Sequence, residues 1–299
     1  MKEEFIKIKF SAKRLGLIQE VNKVLDKYHT LGFTLSGRQV YYQLVARNII
    51  PNDKHSYKRL NSIISDGRKA GLIDWAMIVD RTRGTREPPH WDKPLDILEQ
   101  AVKVFAIDKW ADQSNHIEIM VEKDALAGIL NPVCQKMDVN FTANRGYSSD
   151  SLLYETGLRI YEKNREGKII YIAYFGDHDP SGLDMDRDIL ERLKMYSGVP
   201  IEVKRLALLM DQIEEMDVPE NPAKTTDSRY EGYIVKYGIS SWELDAVEPP
   251  ELERLVTEFV EGLRDPDPWD AKVEIENGMK QELQDVVDAY KEENPDDEE

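Results

Sequence analysis

The run from Lys168 to Phe175 constrains this chain more than any other feature: it is nearly continuous in apolar residues and then breaks at Gly176-Asp177-His178-Asp179-Pro180-Ser181-Gly182. An apolar run of strand length, rich in isoleucine and aromatics, reads as a strand buried on both faces, the situation of a parallel sheet covered by helices. Shorter runs repeat the pattern. Ile117–Val121, Val139–Thr142 and Ile201–Leu208 read as strands, and helices are expected from Asp124 to about Gln135, from Ser149 to Asn164 and from the Pro180 turn to about Met195. Strands alternating with helices predict a parallel α/β sheet whose ligands meet the carboxyl ends of the strands.

Acids stand at those ends. Asp177 and Asp179 are two residues apart, so both carboxylates face one side of an extended segment, and Glu122 ends a different strand within reach of the same crevice. Three carboxylates converging without a basic partner repel one another, and Mg²⁺ (or Mn²⁺) is the natural relief, a hard ion that takes oxygen ligands and polarises a phosphodiester. The plainer alternative is that Asp-x-Asp-Pro-x-Gly is only a helix-capping turn. His178, between the two aspartates, is expected to face solvent. The chain has no Gly-x-x-x-x-Gly-Lys-Ser/Thr loop, hence no expected ATP site, and neither His-Glu-x-x-His nor Gly-x-Ser-x-Gly. Its one cysteine, Cys134, excludes an internal disulfide and a cysteine-based zinc site.

The net charge of −17 argues at first against nucleic acid, but the charge is unevenly placed. Residues 1–70 hold 14 basic against 6 acidic residues, whereas the last 49 hold 5 against 18. Opposite signs suggest two modules, here 1–95 and 96–299, with the acidic tail a solvated or disordered end. In the first module, helices are expected from about Ser11 to Tyr28, from the N-cap Ser36, and from the Pro51-Asn52-Asp53 break to Lys69 before Gly71. Trp75–Val79 reads as a strand, followed by a basic loop containing Arg81 and Arg83. Three short helices and a strand make a helix-turn-helix or winged-helix pattern. Its third helix presents Lys54, Lys58, Arg59, Arg68 and Lys69, as a helix meeting DNA phosphates must.

On the second helix Tyr41 shares the apolar face of Leu44 and Val45, whereas Tyr42 points about 100° away and lies one turn from Arg38. An arginine beside a phenol can hold a phosphate in line and favour the phenolate, whose ordinary pKa is near 10. Alternatively, Tyr42 covers surface or bonds a backbone phosphate. The length of 299 residues, the lack of an apolar run of membrane-spanning length and an acidic start without a signal-like segment together suggest a cytoplasmic protein.

Two stretches, Val121-Glu122-Lys123-Asp124-Ala125 and Gly176–Gly182, resemble the two motifs of a Toprim domain. Arg38-Gln39-Val40-Tyr41-Tyr42 resembles the Arg-x-x-Tyr-Tyr stretch on the winged helix of the topoisomerase VI A subunit and the meiotic double-strand-break proteins. The order of the two modules fits, and Trp242–Pro250 is similar to a C-terminal stretch of the A subunits. The resemblance implies a winged-helix domain followed by a Toprim-type α/β domain with a C-terminal helical extension. It further implies a homodimer with double-stranded DNA in a groove, Tyr42 as the nucleophile that becomes joined to a 5′ end, and Arg38 as the phosphate-positioning residue. Glu122, Asp177 and Asp179 would be the Mg²⁺ ligands, supplied to each tyrosine by the partner subunit. The chain is shorter than typical A subunits and lacks an ATPase domain, so a separate ATPase subunit is a possible partner. Type IIB topoisomerase-like cleavage is the leading expectation. A hydrolytic Toprim nuclease and a non-catalytic DNA-binding dimer are the alternatives.

Overall fold

The computed structural model of the chain describes residues 2–79 and 88–295. Helices α1 (Ala12–Thr30), α2 (Gly37–Ala46) and α3 (Lys54–Lys69) open it, and local chemistry sets each start. The Ser11 hydroxyl accepts from the Arg14 N–H, Ser36 and Gln39 form a reciprocal capping box, and the Asp53 carboxylate accepts from the Ser56 N–H. These are the caps expected at Ser36 and Asp53. The strand expected at Trp75–Val79 does not form: this stretch is turns and bends, with one bridge from Ile78 to Leu35. The physical reason is Arg68, whose guanidinium donates to the carbonyls of Trp75 and Ile78 and so occupies acceptors a strand partner would need. Arg81 and Arg83 lie outside the described residues.

After α4 (Pro94–Val104) come β1 (Asn115–Val121), a single 3-10 turn, α5 (Ala127–Lys136), β2 (Asn140–Ala143), α6 (Asp150–Arg165), β3 (Ile169–Phe175), α7 (Gly182–Ser197) and β4 (Glu202–Ala207). The strands form one parallel sheet in the order β2-β1-β3-β4, with Val121 level with Ala143 on one side and Phe175 on the other. The molecule is therefore mixed α/β, with a four-stranded parallel sheet.

Alternation along the strands assigns its faces. Ile117, Ile119, Val121, Ala173 and Phe175 join an apolar core that is continuous with the buried side of α1–α3, including Val21, Leu25, Val40, Leu44, Leu60 and Ile63. Met120, Ile170, Ile172 and Tyr174 pack on the other face against Leu153 and Ile160 of α6 and Ile189 and Leu193 of α7. Glu118 shares this second face and is fully buried. It is tolerated because Arg159 grips it with two hydrogen bonds of 2.8 and 2.7 Å while His116 lies 3.0 Å away.

The remaining elements are α8 (Met210–Glu215), β5 (Glu220–Pro222), α9 (Tyr230–Tyr237), β6 (Ser240–Trp242), α10 (Pro249–Glu261) and α11 (Pro266–Glu293). β5 and β6 make a short antiparallel ribbon. The acidic tail, expected to be a solvated or disordered end, is helical through the 28-residue α11, and all of that helix's acids but Glu276 are exposed, while residues 296–299 lie outside the described residues. Trp269 and Val287 are buried and so is Glu276, which accepts from Lys109 Nζ at 2.7 Å, from the Ile107 N–H at 3.0 Å and from Lys280 Nζ at 2.8 Å.

Burial alone would raise the pKa of Glu276, but these bonds pull it down to about 2. A depressed carboxylate stabilises the fold above its unfolded pKa and loses that contribution as pH falls toward 2. Glu276→Gln is therefore expected to lower stability at pH 7 by about 1–3 kcal/mol. In denaturant titrations the deficit should shrink as pH falls from 5 toward 2; a deficit independent of pH would contradict this account.

Candidate active site

At the end of β3 the chain turns sharply. Gly182 leaves no room for a side chain there, since a Cβ would lie 2.3 Å from the Asp177 carbonyl oxygen. The turn aims Asp177 and Asp179 differently. Asp177 donates its backbone N–H to Glu122 Oε2 at 2.8 Å, which brings the ends of β1 and β3 together as the sequence suggests. Its Oδ1 accepts from the Leu244 N–H at 2.8 Å and lies 2.7 Å from Lys123 Nζ. Asp179 Oδ1 accepts from the Gly182 N–H at 2.6 Å and the Ser181 hydroxyl at 3.0 Å, so it does cap the first turn of α7. Its Oδ2 lies 3.1 Å from Lys224 Nζ.

The expectation that these acids lack basic partners is thus corrected. The Lys123 ammonium sits between Asp177, Glu243 and Asp245, at 2.8 Å from the last. Burial opposes its charge, but Asp245, Asp177 and Glu243 raise its pKa well above the ordinary lysine value. Arg205 donates to the carbonyls of Gly176 and Asp177 at 3.0 and 3.3 Å. Burial outweighs what these cations relieve. Burial, aided by Glu122 and Glu243 against the pull of Lys123, pushes the Asp177 carboxyl up to about 7, and burial with the charge of Asp179 raises Glu122. Asp179 is lowered, because the Gly182 N–H and Lys224 outweigh burial.

These positions do not fit a resident Mg²⁺ as they stand. Asp177 Oδ1 and both oxygens of Asp179 already accept from ammonium, hydroxyl or amide groups. Among the described residues, no three His, Cys, Asp or Glu side chains are grouped to hold a metal ion.

Tyr42 is buried rather than spread on the surface. Its hydroxyl accepts from Asn221 Nδ2 of β5 at 3.3 Å, and the Arg38 guanidinium lies 5.9 Å from its ring centre. The phenol is not primed as the sequence suggests. Burial and the charge of Glu243 raise its pKa, and Arg38 only partly opposes them, because Arg38 is paired with Glu243 at 2.5 Å and Asp245 at 3.4 Å. Tyr41 is core-like, edge-on to Tyr42 and Tyr57 at 5.2 Å each, and donates to Asn52 Oδ1 at 2.9 Å.

A cleft of about 620 Å³ joins these groups: Arg38, Tyr42, Asp177, Asp179, Asn221 and Lys224 all line it. One chain therefore carries the tyrosine, the arginine and two of the three acids in a single cavity; Glu122 stands behind Asp177. Of the basic residues expected to meet DNA, Lys54 lines the cleft and Lys58, Arg59 and Lys69 are exposed on α3. Arg68 is half-buried, stacked 5.1 Å over Trp75, and holds the 75–78 stretch.

The expected solvent exposure of His178 is corrected as well. It is buried, its backbone pairs with Trp242, its Nδ1 is 2.9 Å from the Tyr233 hydroxyl, and burial lowers its pKa to about 4. Sequence reasoning assigned no role to Lys123, Asn221, Lys224, Glu243 or Asp245. Lys123, Glu243 and Asp245 stand inside stretches that carry the resemblance, and that was the available signal.

Compared with protein-family models, with curated proteins and with solved structures, the chain matches none. Among the described residues no helix is long and apolar enough to cross a membrane.

Removing one partner from a buried ion cluster strands the others, so Lys123→Met is expected to destabilise the protein by about 3–5 kcal/mol at pH 7. Chemical denaturation measures it; a loss below about 1 kcal/mol would mean that Lys123 holds the three acids only weakly.

Proposed function

We propose that this chain is a DNA strand-cleaving transesterase, with Tyr42 as nucleophile and Arg38 as the residue that positions the phosphate. The observation that carries the reading is the shared cleft: the phenol, a guanidinium, the Lys224 ammonium and two strand-end carboxylates line one cavity open to solvent. The Tyr42 oxygen attacks phosphorus, a new O–P bond forms to the 5′ side, and the bond to the 3′ oxygen breaks. The phenolic proton must leave as attack proceeds, and the carboxylates lining the cleft are the available bases. Asp177, whose carboxyl is held by burial above the ordinary carboxylate range, is the acid placed to take that proton and return one to the departing 3′ oxygen. Arg38 and Lys224 offset charge developing on the non-bridging oxygens.

The N-terminal helices serve in this reading as a winged-helix module that brings exposed Lys58, Arg59 and Lys69 of α3 to the duplex, and the sheet serves as a Toprim-type module. Cutting both strands needs two clefts, one per strand, which is the reason to propose a homodimer; a separate ATPase subunit would be needed for strand passage. Dependence on Mg²⁺ rests on the sequence resemblance alone. The burial of Tyr42, whose hydroxyl already accepts from Asn221, favours a second reading, in which a cleft carboxylate activates water and Tyr42 only shapes the cleft.

Supercoiled plasmid incubated with protein and Mg²⁺ or Mn²⁺, or with EDTA, then quenched with detergent with and without protease, separates the readings. Nicked or linear DNA bearing protein on its 5′ ends is expected from the wild type. Tyr42→Phe should abolish it, and Arg38→Gln or Asp177→Asn should reduce it at least 100-fold, the scale of losing an electrostatic or acid–base contribution. Protein-free ends that persist in Tyr42→Phe would overturn the transesterase in favour of the hydrolase, and no cutting under any metal would overturn both.

A further inference from the structure

Arg38, the residue proposed to hold the scissile phosphate, already holds an anion from its own chain. Its Nη2 lies 2.5 Å from Glu243 Oε2, the same oxygen that accepts from the Lys123 ammonium. The neighbouring acid is differently placed. Asp245 is fully buried, accepts from Lys123 at 2.8 Å and meets only the Nε side of Arg38, at 3.4 Å. Glu243 lines the cleft, with a side chain 20% exposed beside an Arg38 side chain 42% exposed. Solvent, and anything dissolved in it, therefore reaches the Glu243–Arg38 pair but not Asp245.

The backbone around Glu243 is fastened independently of its side chain. The Leu244 N–H donates to Asp177 Oδ1 at 2.8 Å, and the Ala246 N–H donates to the Glu243 carbonyl at 3.0 Å. A rotation about the Glu243 side chain would free the Nη2 edge of Arg38, which keeps its Nε pairing with Asp245, without unravelling the 243–246 turn, and Asp177 and Asp245 would keep Lys123 in place. A carboxylate and a phosphodiester offer the same paired anionic oxygens to a guanidinium fork. With Glu243 seated, four acids line the cleft, Asp53, Asp177, Asp179 and Glu243, against Arg38, Lys54 and Lys224, and an entering phosphate must compete with Glu243 for Arg38.

We infer that Glu243 is a built-in stand-in for the DNA phosphate: it occupies Arg38 until a backbone phosphate displaces it, and so restrains DNA from entering the cleft. This inference rests on the reading of Arg38 as the phosphate-positioning residue. It adds a gate that the cleavage chemistry does not require.

The test is fluorescence anisotropy of a fluorescein-labelled 30-base-pair duplex in EDTA, so that binding is read without cutting. Glu243→Gln is expected to bind about tenfold more tightly than wild type, the scale of one charge-assisted contact. Its log K against log salt should steepen by about 0.9, one additional phosphate neutralised. Glu243→Asp, which withdraws the carboxylate by one methylene but keeps its charge, is expected to fall between the two. In an Arg38→Gln background Glu243→Gln should give no gain, and Glu261→Gln, an exposed acid on α10, should give none in the wild type.

Thermal melts confirm that each variant is folded, and Glu243→Asp carries the test if Glu243→Gln is not. A Glu243 variant that binds no more tightly than wild type, or a gain that survives Arg38→Gln, overturns the gate. If the wild type binds duplex and cuts plasmid while the variants bind alike, only the gate fails. If neither wild type nor variants bind duplex, the DNA reading fails with it.

Discussion

The ammonium of Lys123 is the charge on which the ends of the sheet depend. It stands at the carboxyl end of β1 and answers three carboxylates from two other parts of the chain, Asp177 after β3 and Glu243 and Asp245 after β6. Without it, at least two buried negative charges would face each other in a low-dielectric setting, a cost of several kcal/mol that no local packing offsets. Glu243 and Asp245 then pass the charge pairing on to Arg38 of α2. A single line of alternating charge thus runs from the strand ends to the tyrosine-bearing helix.

That line is reinforced by the β5–β6 ribbon. Trp242 pairs its backbone with His178, and Asn221 on the facing strand reaches the Tyr42 hydroxyl, while Asn52 donates to the Glu220 carbonyl at 2.6 Å. Sheet and N-terminal helices are consequently joined by backbone and side-chain bonds as well as by a shared apolar core, and the cleft between them is a built cavity. The sequence resemblance implies acids supplied to each tyrosine by a partner subunit. Here the chain's own acids reach the same cleft, which makes a single chain a candidate for a self-sufficient site.

Much of this was legible from residue patterns, for identifiable reasons. β3 is an unbroken apolar run because both of its faces are covered, and Ser36 and Asp53 mark helix starts because their side chains answer orphan amides. Asp177 and Glu122 converge because adjacent parallel strands end level. What was not legible depended on partners distant in sequence. Trp75–Val79 has strand-like composition, but Arg68 claims its carbonyls. The acidity of α11 hid the widely spaced Trp269, Glu276 and Val287 that seat it. β5 and β6 are three residues each, too short to show a period. The lysines that neutralise the acids lie far from Asp177 and Asp179 in sequence, so the cluster looked unpaired and the tyrosine looked more acidic than its surroundings make it.

The central claim is that Tyr42 and the strand-end carboxylates act on the same phosphate within one protomer. The most direct test is complementation with Tyr42→Phe and Asp177→Asn chains, co-expressed with different affinity tags and purified through both so that every assembly contains each. On this account every protomer of such an assembly has a broken site, and plasmid cleavage stays at the level of the single variants. Cleavage restored toward half of the wild-type rate would show tyrosine from one chain working with acids from the other, and would contradict the one-chain cleft.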